Sequence, residues 1–199
     1  MFTGIVAETG KVEKIKPMEG GLELWISCSF SSDTHIDESI CVNGVCLTVV
    51  DQQDHAFHVQ CVEETLRKTS FSEIAEGDEV NLERSLTMEK AIEGHIVQGH
   101  VDTVGRIENI EIQENNRLVT ISYPDEFLPL IVARGSIAID GISLTVARET
   151  ENRFSVAIIP YTWQHTNVKH RKRGDDVNLE FDIFGKYVVR YMQTRKDLG

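Results

Sequence analysis

An internal duplication constrains this chain more than any other feature. Ser39-Ile40-Cys41-Val42-Asn43-Gly44-Val45-Cys46-Leu47-Thr48-Val49 aligns with Ser136-Ile137-Ala138-Ile139-Asp140-Gly141-Ile142-Ser143-Leu144-Thr145-Val146, so position 39 maps onto position 136, an offset of 97 residues. The same offset relates Gly77-Asp78-Glu79-Val80-Asn81-Leu82-Glu83 to Gly174-Asp175-Asp176-Val177-Asn178-Leu179-Glu180, and Phe57, Thr65 and Thr69 to Phe154, Thr162 and Thr166. Near the start the register is 95, with Gly4, Val6, Gly10 and Ile15 matching Gly99, Val101, Gly105 and Ile110. Solenoid repeats run to roughly 20–50 residues, so a period this long points to two homologous domains. Their boundaries read as 1–93 and 94–182, followed by a tail over 183–199.

Within each copy the local signals are those of strands. Asn43-Gly44 and Asp140-Gly141 each sit between β-branched residues. Both central residues of a type I′ turn need positive φ, which Asn, Asp and Gly tolerate best, so both sites predict tight hairpins. Short apolar runs at 22–27, 56–62, 79–83, 117–123, 153–159 and 176–181 predict further strands, and 63–68 and 126–133 predict short helices. Many short strands separated by turn residues suggest a small Greek-key barrel in each copy. The tail differs: Ile183, Tyr187 and Tyr191, with Phe184, Val188 and Met192, form rows spaced by four, as on one helical face. Such a helix either covers its own barrel or associates with other copies of the chain, and the residues alone leave both open.

Charge and cysteine usage narrow the function classes. A formal net charge of −12 repels polyanions, so nucleic acid is not an expected partner. The run Lys169-His170-Arg171-Lys172-Arg173 is the exception and reads as a solvated loop before Gly174. Cys28, Cys41, Cys46 and Cys61 form no C-x-x-C pair and no zinc-like spacing with histidine, so neither a metal nor a disulfide framework is expected. No run approaches the ~20 apolar residues of a membrane span. Met1-Phe2-Thr3-Gly4-Ile5-Val6 lacks the basic and apolar regions of a signal peptide, and the chain reads as cytoplasmic.

Taken in order, several motifs resemble the riboflavin synthase family. They are Met1-Phe2-Thr3-Gly4-Ile5-Val6, Val42-Asn43-Gly44-Val45-Cys46-Leu47-Thr48-Val49, Gly94-His95-Ile96-Val97-Gln98-Gly99-His100-Val101-Asp102, Gly141-Ile142-Ser143-Leu144-Thr145-Val146, Ile159-Pro160, and Asp182 with Gly185-Lys186-Tyr187-Val188. The resemblance covers essentially the whole chain, including the duplication and the closing helix. It implies two six-stranded Greek-key barrels plus a C-terminal α-helix, a trimer joined through those helices, and active sites between barrels of neighbouring subunits. It implies that two molecules of 6,7-dimethyl-8-ribityllumazine are dismutated to riboflavin and 5-amino-6-ribitylaminouracil by transfer of a four-carbon unit, with no cofactor. Association with a lumazine synthase is left open.

By position, the resemblance assigns to the first barrel's site Gly4, Ile5, Val6, Ser39, Cys46, Leu47, Thr48, Gln60, Cys61, Val62, Glu63, Glu64, Thr65, Gly99, His100 and Val101. It assigns to the second Arg134, Ser143, Leu144, Thr145, Ile159, Pro160, Tyr161, Thr162, Trp163, Gln164 and Asp182, and places Phe2 at the border of the reacting pair. Cys46, His100 and Ser39 are the catalytic candidates. A thiolate at Cys46 would add to the electron-poor ring or pass a proton, whereas a free cysteine is more commonly a small buried residue. His100 titrates near neutrality, although lone histidines more often serve structure. Ser39 has a counterpart in Ser136, which suits a shared structural role equally well. His95 reads as part of the turn between the copies. Asp182 either binds ribityl hydroxyls or caps the tail helix. Two positions depart from the family pattern: Asp37 stands where glycine is common, and Arg134 where lysine is common. The rival reading is a non-catalytic lumazine- or flavin-binding antenna protein of the same fold.

Overall fold

A computed structural model describes residues 1–53 and 55–196. The last three residues of the expected tail, 197–199, lie outside the described residues. The first barrel comprises β1 (Glu8–Met18), β2 (Gly21–Ser27), β3 (Ser39–Val42), β4 (Val45–Gln53), β5 (Ala56–Val62) and β6 (Glu79–Arg84), with α1 (Glu63–Lys68) after β5. The second comprises β7 (Thr103–Ile112), β8 (Arg117–Ser122), β9 (Ser136–Ile139), β10 (Ile142–Thr150), β11 (Arg153–Ile158) and β12 (Asp176–Phe181), with α2 (Pro160–His165) after β11. Each is a closed antiparallel barrel, ordered β1-β2-β5-β4-β3-β6 and β7-β8-β11-β10-β9-β12. The last strand of each returns between the third and the first, as in a Greek key.

The hairpins form where the dipeptides predict them. Asn43 and Gly44 have φ of 45° and 82°, and Asp140 and Gly141 of 45° and 77°. Alternation along the strands fills the barrels: Ile40, Val42, Val45, Leu47 and Val49 enter the first core beside Phe57, and Ile137, Ile139, Ile142 and Val146 enter the second beside Phe154. β1 and β7 carry no clean alternation because each contains a bulge, at Val12/Lys14 and Ile107/Asn109. An extra residue shifts the inward face by one, so Val12 is followed inward by Ile15, and Ile107 by Ile110. The helix expected over 126–133 is instead a 3₁₀ turn at Asp125–Leu130. Pro129 within it supplies no N–H for an α-helical ladder, and Ile131 is already extended.

The barrels meet across a pseudo-two-fold seam at their hairpin tips. A Cβ on Gly44 would lie 2.9 Å from the Gly141 nitrogen, and one on Gly141 would lie 2.8 Å from the Gly44 nitrogen, so only glycine lets the tips touch. Asparagines bridge the seam reciprocally. Asn81 donates from Nδ2 to the Asp140 carbonyl at 2.9 Å, and Asn178 to the Asn43 carbonyl at 2.8 Å. Asn81 Oδ1 accepts from the Asn167 backbone N–H, and Asn178 Oδ1 from that of Ser70, both at 2.7 Å. The first residues of the basic run reach this seam, while His170 and Lys172 remain exposed as a solvated loop would have them. Lys169 and His170 pair with Glu79, and Arg171 with Asp140, while Arg173 stays exposed. An additional cluster of Phe2, Cys41, Val97 and Ala138 fills the seam's other side, where Phe2 and Val97 form an antiparallel bridge.

α3 (Ile183–Lys196) leaves the second barrel directly after β12. Its first turn is fastened: Phe184 N–H donates to Asp182 Oδ1 at 3.0 Å, and Lys186 Nζ lies 2.6 Å from Asp102 Oδ2. Farther along, Tyr187, Val188, Tyr191 and Met192 are all more than half exposed. Among the described residues, no helix is long and apolar enough to cross a membrane.

Candidate active site

The candidate residues fall into two equivalent groups on the outer faces of the barrels, each drawn from a β-hairpin strand, a crossing arm and a strand-to-helix corner. On β4, Leu47 points into the core while Cys46 and Thr48 face outward. Cys46 N–H donates to the Gly99 carbonyl at 2.8 Å, which lays the arm 97–101 along the strand. Gly99 has φ of +79°, and a Cβ there would fall 2.6 Å from Cys46 Cβ, so the close approach requires glycine. The arm is anchored from the other side by Glu180, whose carboxylate accepts from the backbone N–H groups of Gln98, Gly99 and His100 at 2.6, 2.9 and 2.9 Å. Burial pushes the Glu180 carboxyl above its ordinary pKa, against the pull of those N–H groups and of Lys186.

The second site repeats this construction. Ser143 N–H donates to the Gly4 carbonyl at 2.7 Å, and a Cβ on Gly4, whose φ is +75°, would meet Ser143 Cβ at 2.6 Å. Glu83 takes the place of Glu180, accepting from the N–H groups of Thr3 and Gly4 at 2.8 and 2.9 Å and from the Thr3 hydroxyl at 2.7 Å. Each arm is thus held by the glutamate of its own barrel and lends its carbonyl to the other. The structure therefore seats Gly4, Ile5 and Val6 at the second barrel, where Val6 packs on the core, and not at the first as expected. Val101 packs reciprocally on the first core. A repeat alignment identifies equivalent residues, but it does not reveal which barrel an arm crosses to.

The remaining candidate residues lie at the strand-to-helix corners that follow β5 and β11. Gln60 and Val62 are exposed at the end of β5, followed by Glu63, Glu64 and Thr65 at the start of α1. Glu64 is engaged by Arg67 and Lys68 on its own helix. In the second barrel Ile159, Tyr161 and Gln164 are exposed, Pro160 begins α2, and Trp163 is stacked under the Arg117 guanidinium at 4.3 Å. Thr162 and Thr65 each receive a hydroxyl bond on their carbonyl from the threonine four residues on. Leu144 and Thr145 follow Ser143 on β10, Leu144 against the core and Thr145 exposed. Ser39 pairs across the sheet with Thr48, as Ser136 does with Thr145.

Other candidates stand apart. Cys61 is fully buried inside the first barrel, which drives its thiol pKa up to about 12, so its sulfur faces the core. The Phe2 ring is buried in the seam. Arg134 is exposed, two residues beyond the Ser136–Thr145 pair. It has φ of +67°, and its repeat counterpart Asp37 has φ of +71°, a left-handed backbone that glycine adopts with less strain. His100 is exposed, and its backbone N–H donates to Glu180. Asp182 does cap α3.

His95 is the residue the sequence undervalued. Its Nδ1 lies 2.7 Å from Ser143 Oγ, and its backbone N–H donates to the Thr3 carbonyl at 3.1 Å. Burial lowers the His95 pKa below 6.5, opposed by the nearby Asp182 carboxylate. The ring is thereby kept neutral near pH 7, able to accept the Ser143 proton. His95 lies just ahead of the segment that the repeat matches, so the duplication gave no signal for it. Among the described residues, no group of three or more His, Cys, Asp or Glu is arranged to hold a metal ion.

Comparison with known proteins agrees with this architecture. A family model described as the lumazine binding domain matches twice, over residues 3–85 and 98–182. The riboflavin synthase of Bacillus subtilis is 38% identical over 198 residues, covering 99% of this chain and 92% of its own. That of Brucella abortus is 39% identical, covering 98% and 100%, and that of Mycobacterium tuberculosis 40%, covering 98% and 99%. The crystal structure of LumP complexed with riboflavin shares the fold, with a TM-score of 0.85, 24% identity, and coverage of 91% of this chain and 99% of that one. By its two matched barrels and its full-length relatives, the chain belongs to the riboflavin synthase family.

Proposed function

We propose that this chain is a riboflavin synthase, a transferase that converts two molecules of 6,7-dimethyl-8-ribityllumazine into riboflavin and 5-amino-6-ribitylaminouracil. The observation that carries this reading is the pair of equivalent outward-facing sites, one offering the Cys46 thiol and the other the His95–Ser143 pair at the matched position. Two copies of one binding shape suit a reaction that consumes two copies of one molecule. Their chemical difference suits a reaction in which one copy donates four carbons and the other accepts them.

The ring supplies its own electron sink, since the electron-poor lumazine makes its 7-methyl protons acidic and its adjacent carbons electrophilic. No net oxidation occurs: four carbons leave the donor, which departs as the pyrimidine, and close the new ring on the acceptor. Holding both rings face to face supplies effective molarity worth up to ~7–11 kcal/mol. Proton transfer contributes a further factor of about 10²–10⁴. In this reading the second site binds ring and ribityl chain through Gly4–Val6, Ser143–Thr145 and the corner 159–164, with His95 moving the proton that Ser143 carries. The first binds through Cys46–Thr48, Gln60–Thr65 and Gly99–Val101, with Cys46, His100 and Ser39 as catalytic candidates.

Subunit assembly follows from what a single chain leaves uncovered. Val62, Ile159 and Tyr161 rim the sites yet are more than half exposed, as is the apolar row on α3. We assign both to contacts between copies: α3 joins three chains, and the first barrel of one chain closes over the second barrel of its neighbour. The domains then divide at 1–93 and 94–182, with 183–199 as the assembly helix, and the enzyme works in the cytoplasm.

The test is to mix the metal-stripped protein with 6,7-dimethyl-8-ribityllumazine and follow absorbance and product chromatography. One riboflavin and one pyrimidine per two lumazines consumed supports the reading. Tight binding without riboflavin would sink it in favour of a chromophore carrier.

A further inference from the structure

Cys41 and Cys46 occupy directly opposed positions on β3 and β4. The Cys46 N–H is spent on Gly99, not on Cys41, so this is a non-hydrogen-bonded cross-strand pair. In such pairs the Cα atoms are about 4.5 Å apart and the side chains lean together on one face. That separation lies inside the range of roughly 4.4–6.8 Å that a disulfide spans. Both side chains face outward, Cys41 buried in the seam against Phe2, Val97 and Ala138, and Cys46 half-buried beside it on the site's surface. The second barrel lacks the pair: its opposed residues are Ala138 and Ser143.

We infer that Cys41 and Cys46 form a reversible cross-strand disulfide on reaction with a hydroperoxide, withdrawing the Cys46 sulfur from the first site. The inference rests on the proposed site role of Cys46 only for its effect on turnover. Cys46, the more accessible thiol, reacts first: its sulfur takes one oxygen from the hydroperoxide, which leaves as the alcohol or water, giving a sulfenic acid. The Cys41 sulfur then displaces the hydroxyl, which departs as water with the Cys41 proton. The two thiols lose two electrons and the hydroperoxide gains them. Cys41 serves only as the resolving partner, since burial and the nearby Glu83 and Glu180 carboxylates keep its thiol protonated. The remaining thiols cannot substitute: Cys61 lies in the barrel core, and Cys28, raised to about 12 chiefly by burial, sits after β2.

The test treats the purified protein with hydrogen peroxide, alkylates the free thiols and weighs the intact chain. Expected are two fewer alkylated cysteines out of four, a loss of two hydrogens, and turnover reduced about 10²-fold. Dithiothreitol should reverse all three. Cys41→Ala, which installs the residue found at position 138, should turn over normally, keep all its thiols out of disulfides, and gain oxygen instead. Cys28→Ser should still lose two alkylation sites. Four alkylated thiols after oxidation, or a disulfide persisting in Cys41→Ala, would overturn the pairing. A disulfide that leaves turnover unchanged would overturn its control of the site. The turnover of reduced Cys46→Ser separately reports whether Cys46 belongs to the site at all.

Discussion

Cys46 and Ser143 stand at one register position of a duplicated hairpin, and the structure gives each a different neighbour. Cys46 faces a glycine arm and a second thiol, whereas Ser143 faces His95. Replacing Cys46 with serine keeps the shape but removes the sulfur nucleophile. Turnover should fall by roughly 10²-fold while lumazine binding changes little; an equal loss of both in fluorescence titration and rate assays would remove Cys46 from the chemistry. His95 sets a pH dependence. Its folded pKa lies below the unperturbed 6.5, so the fold favours the neutral ring. That stability is fully present above about pH 6.5 and is lost as pH falls through the depressed value. Urea midpoints at pH 7.5 and 5.5 should differ more for the native protein than for His95→Asn, which keeps an acceptor near Ser143 but does not titrate.

At the scale of elements, the arms 1–7 and 94–102 determine what the sites look like. Gly99→Ala adds a methyl group at positive φ and against the Cys46 backbone, whereas Gly20→Ala has a similar φ, +75°, and open space around it. The first should cost clearly more than the roughly 1–2 kcal/mol of left-handed strain alone, and the second about that amount. Denaturant midpoints of the two variants measure the difference, and lumazine binding should weaken only for Gly99→Ala. How much of this was legible depended on the element. The hairpins at Asn43-Gly44 and Asp140-Gly141 were readable because turn chemistry is local. β1 and β7 were obscured by bulges that break the alternation, and the segment at 126–133 by a proline inside an apolar run. Exchange of the arms had no local signature.

Across the whole molecule, two barrels behave as one body because asparagine side chains satisfy backbone groups of the opposite copy. Asn81→Ala strands the Asp140 carbonyl and the Asn167 N–H, and should cost about 1–3 kcal/mol per group left unpaired. Combined with Asn178→Ala, the loss should differ from the sum, because both asparagines bond to Asn43 and Asp140; a double-mutant cycle by urea unfolding measures this. The exposed row on α3 makes the corresponding prediction for assembly. Tyr187→Glu with Tyr191→Glu should leave the barrels folded but convert the proposed trimer to single chains in sedimentation, and turnover should fall with it if the sites are completed by a neighbour.

The sequence by itself determined the duplication, the hairpin positions, the small barrels and the family. Those depend on spacing and on turn residues, which act over a few bonds or recur at a constant offset. Tertiary structure alone decided that Gly4 serves Ser143 and Gly99 serves Cys46, that His95 meets Ser143, and that Lys169 and Arg171 pair with carboxylates at the seam. These contacts join segments far apart in the chain through buried carboxylates and backbone carbonyls. Because the two copies fold to equivalent shapes, only three-dimensional closure selects which one each segment meets.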